Sequence, residues 1–261
     1  MNVSIRSLLV ILAFVFAGCS GGSKNAPPPD YSGFDTGKHE ISKSHPRLLG
    51  SAYQLRQLAK ERPEAWQRVA WVARNLEPDD ETVLDEHMKT LSMGLVYAVE
   101  GDEAVGRAAI ERVLTTVRAP IRVGHETFGA DMARVALVYD LCHPLWSEAE
   151  KAEFLDYSGR TVDANVGSEL AVFHNAWYGY KNWGYGLTAY ATWYEWERAP
   201  KILAELEKDY AERAAPALEL SGQGGGFAEG YYINYWSYEW LFFCEAARSV
   251  EGKNYYALAP G

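Results

Sequence analysis

The strongest constraint in this sequence is a hydrophobic period of three to four residues that continues, with few interruptions, from Ala52 towards the C-terminus. Met88, Leu91, Leu95 and Val99 fall on one helical face, Ile110, Leu114 and Val117 on another, and Met132, Val135, Tyr139 and Cys142 on a third. Trp183, Leu187, Tyr190 and Tyr194 form a fourth face, and Trp236, Trp240, Phe243 and Ala247 a fifth. No convincing run alternates as a strand would. Turn signals separate the blocks at Glu77-Pro78-Asp79-Asp80, Glu100-Gly101-Asp102, Ala119-Pro120, His143-Pro144, Ala199-Pro200 and Ser221 to Gly226. Helices of this length joined by short turns stack as antiparallel pairs. The chain is therefore expected to be all-α. Periodicity alone does not separate a toroid from a solenoid or a bundle, and no repeat of fixed length is visible.

At 261 residues, 48% of them hydrophobic, the chain can bury an ordinary core as one domain. The formal net charge of −10, with no cluster of Lys and Arg, argues against a nucleic-acid partner, which needs a basic face. Met1 to Cys19 reads as an export signal: Arg6 supplies the positive charge, Leu8 to Phe16 an apolar core too short to span a membrane, and Ala17-Gly18-Cys19 a small-residue cleavage site. That site resembles the lipobox of bacterial lipoproteins, which implies lipid attachment at Cys19, a membrane partner through the lipid, and a place in the cell envelope. Residues 20–44, rich in Gly, Ser and Pro, read as a flexible tether, and residues 45–261 as the folded domain. Cys142 and Cys244 lie in separate helical patterns and read as independent buried thiols. No spacing of Cys and His suggests a metal site, and no cofactor is implied.

Two aromatic stretches carry the chemistry. The first is Phe173-His174-Asn175-Ala176-Trp177-Tyr178 continuing to Asn182-Trp183, and the second is Gly224-Gly225-Gly226-Phe227-Ala228-Glu229-Gly230-Tyr231-Tyr232-Ile233-Asn234-Tyr235. Each sets a few titratable or amide side chains among rings, the composition of a cleft that grips a sugar, although such rings are as often core. Trp177, Tyr178 and Trp183 are candidate stacking surfaces. His45 and Arg47 read as a structural lead-in, His39, His87 and His143 as solvated or structural, and His125 as a possible cleft residue before a helix.

Taken in order, His45-Pro46-Arg47-Leu48-Leu49, Ala136-Leu137-Val138-Tyr139-Asp140-Leu141-Cys142, His174-Asn175-x-Trp177-Tyr178 and Gly225-Gly226-Phe227-x-Glu229-Gly230-Tyr231-Tyr232 resemble the heparinase II/III-like and oligoalginate lyase group, from about His45 to the end of the chain. The resemblance implies an α/α toroid, here incomplete, because family members continue into further toroid helices and a β-sandwich. It also implies β-elimination on an acidic polysaccharide. A base removes the C5 proton of a uronate, donors stabilise the neighbouring carboxylate as charge builds on it, and an acid protonates the departing O4. The family pattern places His174 as neutraliser or base and Tyr231 or Tyr232 as base and acid. Phe173 stands where the family has an amide, which moves the carboxylate-side role to Asn175 or Asn182. Glu229 can orient the His or the Tyr or bind hydroxyls, and Tyr235 shares a helical face with Tyr231. Two other readings stay open: a glycoside hydrolase pairing Glu229 with Asp131, Asp140 or Glu126, and a non-catalytic sugar-binding surface lipoprotein.

Overall fold

In the computed structural model the structure describes residues 40–77, 83–124, 127–166, 177–221 and 233–255. These residues are all-helical, and no strand occurs among them. The elements in order are α1 (Ala52–Glu61), α2 (Pro63–Asn75), α3 (Val83–Glu100), α4 (Glu103–Arg118), α5 (Thr127–Leu141), a 3₁₀ turn (His143–Leu145) and α6 (Glu148–Ala164). A π-helical stretch (Trp177–Gly186) then runs into α7 (Leu187–Ala191). After it come α8 (Ala199–Asp209), a π turn (Tyr210–Ala214), α9 (Ala215–Ser221) and α10 (Ile233–Glu251).

Local chemistry sets several of the boundaries. Ser51 and Ser147 each open a helix with a reciprocal capping box, to Gln54 and Glu150. Asp102 caps α4 by accepting from the Val105 amide. Gly101 ends α3 at φ +76°, a conformation that side chains rarely adopt.

The most apolar helices form an inner row. α3 packs on α5, α5 on the π-helical stretch and α7, and these on α10, while α2, α4, α6 and α8 lie outside and connect successive inner members. Every residue from Asp131 to Leu141 of α5 is buried, as expected for a helix covered on all sides. The predicted faces are found in this core: Leu91, Leu95, Ile110, Leu114, Val117, Met132, Val135, Tyr139, Trp183, Leu187, Tyr190, Trp240, Phe243 and Ala247 are buried, and each large apolar side chain so placed stabilises by about 1.5–3 kcal/mol. Tyr194 departs from its expected face at 42% exposure, because α7 has already ended at Ala191. Cys142 and Cys244 are buried free thiols.

The inner helices run in one direction. Glu86 of α3 pairs with Arg134 of α5, and Gly94 of α3 meets Leu141 of α5, so positions rise together along both. Gly186 touches Phe243, and Tyr190 donates to Glu251 at 2.5 Å, which sets the π-helical stretch and α7 parallel to α10. α4 runs the other way, with Arg112 on Glu86 and Gly106 against Tyr97. The inner row therefore has an end at which its helices start and an end at which they finish.

The finishing end is covered by the segment 41–50. Asp140, wholly buried, accepts from the His45 Nδ1 at 2.7 Å, from the Arg47 amide at 2.9 and 3.0 Å, and from the Leu48 amide at 2.8 Å. Arg47 in turn donates to the Ala191 carbonyl at the end of α7 (2.9 Å), and its own carbonyl accepts from Ser249 of α10 (2.8 Å). Arg56 of α1 donates to the Ala98 carbonyl near the end of α3. Guanidinium groups set on the last carbonyls of helices satisfy orphan acceptors and oppose the negative end of the helix dipole. The lead-in role read for His45 and Arg47 matches this clamp.

Candidate functional site

The starting end of the inner row holds the groups with chemical potential. Glu86 and His87 lie in the first turns of α3, Asp131 and Arg134 in the first turns of α5, and Arg112 and Thr116 in the last turns of α4. Arg122 lies on the loop between α4 and α5, where Asn165 at the end of α6 binds the Gly124 amide (2.8 Å) and the Arg122 carbonyl (3.2 Å). Arg112 holds Glu86 through two bonds at 2.6 and 3.0 Å. Arg134 reaches Glu86 at 3.4 Å, Asp131 at 3.5 Å and the Thr116 hydroxyl, and Arg122 reaches Asp131 at 3.4 Å. Among the described residues, these three guanidinium groups and the neighbouring Lys89 stand against Glu86, Asp131 and Glu77, four cations to three carboxylates in a chain of net charge −10.

His87 sits beside this network at 7% exposure, its ring 5.2 Å from that of Trp183. Its Nε2 and the Nε of Arg134 are buried with no hydrogen-bond partner. Burial, reinforced by the Arg134 charge, depresses His87 to about 3, so the ring is neutral at ordinary pH. Burial also lifts Asp131 and lowers Arg134, since desolvation disfavours both charges and their mutual attraction only partly offsets it.

The π-helical stretch brings backbones together here. A Cβ on Gly184 would stand 2.6 Å from the Gly129 Cα of α5, and one on Gly186 would stand 2.5 Å from the Phe243 ring. π turns inside helices recur at functional sites. Trp177 and Trp183, candidate stacking surfaces from sequence, are buried at 0% and 2% exposure, so neither offers an open face to a sugar. They pack into the core, where a large indole contributes most by area. The backbone of Tyr178 and Asn182 is in the π-helical stretch and that of Tyr235 in α10, while their side chains lie outside what is described. His174, Asn175, Glu229, Tyr231, Tyr232 and Cys19 lie outside the described residues, as do His39, His125 and Glu126.

The opposite end contains a second cluster. Donor atoms of His45, His143 and Glu195 lie within 4.8 Å of one another, a grouping that could hold a metal ion. The rings of His45 and His143 stack at 3.9 Å and 6°. Asp140 fixes the Nδ1–H tautomer of His45, which turns Nε2 towards Glu195 (3.6 Å) and towards Arg47 Nη2 (2.5 Å). Arg47 already donates to the nitrogen that would have to bind an ion, and a second cation there would meet its charge. Burial lowers His45, but hydrogen bonds to Asp140 and Glu195 outweigh it and leave the ring above its ordinary value, against the opposing charge of Arg47. Because the Arg47 contact requires an unprotonated Nε2, the geometry favours the neutral ring. Burial and then the neighbouring His45 depress His143 to about 4.

Asp140, one of the sequence candidates for a hydrolytic carboxylate, is committed to the clamp on residues 45–48 and has no exposure to a substrate. His87 was read from the sequence as solvated or structural, and at 7% exposure it is not solvated. It precedes Leu91 by four, so it shares the apolar stripe, and a histidine on such a stripe is the signal that marks it. Compared with protein-family models, curated proteins and solved structures, the chain matches none.

Proposed function

We propose that this protein is a polysaccharide lyase that cleaves a uronic-acid-containing chain by β-elimination, on an α/α toroid held at the cell envelope through a lipidated Cys19. One observation carries this reading. The π-helical stretch and α10 begin at the same end of the inner row, and residues 173–182 and 222–235, the two stretches with lyase-like residues, lead into those two helices. The inner and outer alternation of parallel inner helices supports the toroid.

In the mechanism, Asn175 or Asn182, with His174, donates to the uronate carboxylate and offsets the charge that builds there as the C5 proton leaves. Tyr231 or Tyr232 takes that proton and returns one to O4 as the C4–O4 bond breaks and the C4=C5 double bond forms. The products are a 4,5-unsaturated uronate and a new reducing end, with no water consumed. Glu229 orients this pair or binds sugar hydroxyls. The hydrolase alternative loses Asp140 as its second carboxylate.

The test is ultraviolet absorbance on mixing the protein with alginate, heparan-type and chondroitin-type chains. A rise that His174→Ala abolishes is expected. Release of reducing ends without absorbance would establish hydrolysis instead, and binding without either product would leave a non-catalytic sugar-binding lipoprotein. Unchanged turnover in His174→Ala would remove that residue from the mechanism.

A further inference from the structure

We infer that His87 and Arg134, with Arg122 at the rim, form an anion-binding corner at the starting end of the inner row, and that it receives a carboxylate of an acidic sugar. The inference rests on the lyase reading for the identity of the sugar, though not for the existence of the corner.

Three observations converge on it. His87 Nε2 and Arg134 Nε are buried polar atoms without partners, and such atoms destabilise a fold that could fill the same space with carbon. An apolar ring at position 87 would pack against Trp183 without that penalty, so the imidazole has a use other than packing. The charge count then decides the sign of the ligand. Among the described residues, Arg112, Arg122, Arg134 and Lys89 stand against Glu86, Asp131 and Glu77, four cations to three carboxylates, and the starts of α3 and α5 add the positive ends of two helix dipoles.

Chemistry also favours a carboxylate over a neutral hydroxyl. A guanidinium nitrogen and a neutral imidazole N–H are two donors, suited to an oxyanion. Arg122, with its side chain 55% exposed, is the group positioned to meet the ligand first, and its backbone is fixed by Asn165. Asp131 and Glu86 keep the buried guanidinium of Arg134 in place, and Asp131 holds Arg122 as well.

The experiment is calorimetric titration of the full chain with D-glucuronate and with an oligouronate, against D-glucose at matched ionic strength, in parallel with the absorbance assay. Uronate binding without glucose binding is expected. His87→Phe is expected to weaken uronate binding at least tenfold while leaving the thermal midpoint equal to or above that of the parent, and Arg122→Ala, on an exposed loop, to weaken it several-fold. A purely structural His87 would instead change stability and leave affinity untouched, which overturns the inference, as does a parent chain that binds no uronate. Uronate binding lost in His87→Phe, with no elimination by the parent, would keep the corner and discard the lyase.

Discussion

Replacing Asp140 with Asn tests whether the clamp on residues 45–48 holds the finishing end of the helical row. The two side chains have nearly the same shape, so the change isolates charge and acceptor count. Asp140 accepts from one imidazole N–H and two backbone amides through two oxygens, at distances from 2.7 to 3.0 Å. Asn keeps one acceptor oxygen and points an NH₂ at donors. If its oxygen faces His45, the Leu48 amide is orphaned; if it faces Leu48, the His45 N–H is. His45 cannot escape by changing tautomer, because Arg47 donates to its Nε2. Losing a charge-assisted bond and burying one unsatisfied donor costs about 3 kcal/mol. For a domain of this size that corresponds to a fall of about 6–12 °C in thermal midpoint. Thermal denaturation by circular dichroism reads the shift, and hydrogen exchange at the Arg47 and Leu48 amides reads the local opening. A midpoint within about 2 °C of the parent, with those amides still protected, would refute the clamp as a determinant of stability.

Further outcomes follow from the same geometry. Gly184→Ala places a methyl 2.6 Å from backbone of α5 and is expected to cost about 2 kcal/mol, whereas Gly159→Ala, with open space and a helical backbone, should stabilise by about 0.5–1 kcal/mol; urea denaturation of the pair checks both. His87 titrates near 3 when folded and near its ordinary value of about 6.5 when unfolded. Its contribution is thus fully present above about pH 6.5 and is lost as pH falls towards 3, at up to about 1.4 kcal/mol per pH unit. His87→Phe should therefore show a shallower loss of stability across that window, and an unchanged slope would contradict the burial of a neutral ring.

The faces of α3, α4, α5 and α10 were legible because a helix that must bury one side repeats its apolar residues every three to four positions. The caps at Ser51, Asp102 and Ser147, which the sequence reading did not single out, are equally local. The candidate site was only partly legible. His174, Tyr231 and Tyr232 stood out through motif order, which carries chemistry but no geometry. Trp177 and Trp183 drew attention as rings, and rings in an aromatic-rich helix serve the core as readily as a sugar. Asp140 offered itself as a free carboxylate because the donors that occupy it lie more than ninety residues earlier in the chain.

What the sequence determined by itself is the all-helical class, the approximate helix boundaries and the core faces, since these depend on short-range spacing and backbone preference. What only the tertiary structure decided is which polar residues meet. Arg112, Arg122, Arg134, Glu86 and Asp131 come from two helices, a loop and a third helix start, and His87 joins them across the inner row. The parallel course of the inner helices separates that charged end from the clamped one. No local period encodes this separation, because it arises from burial of the most apolar helices side by side.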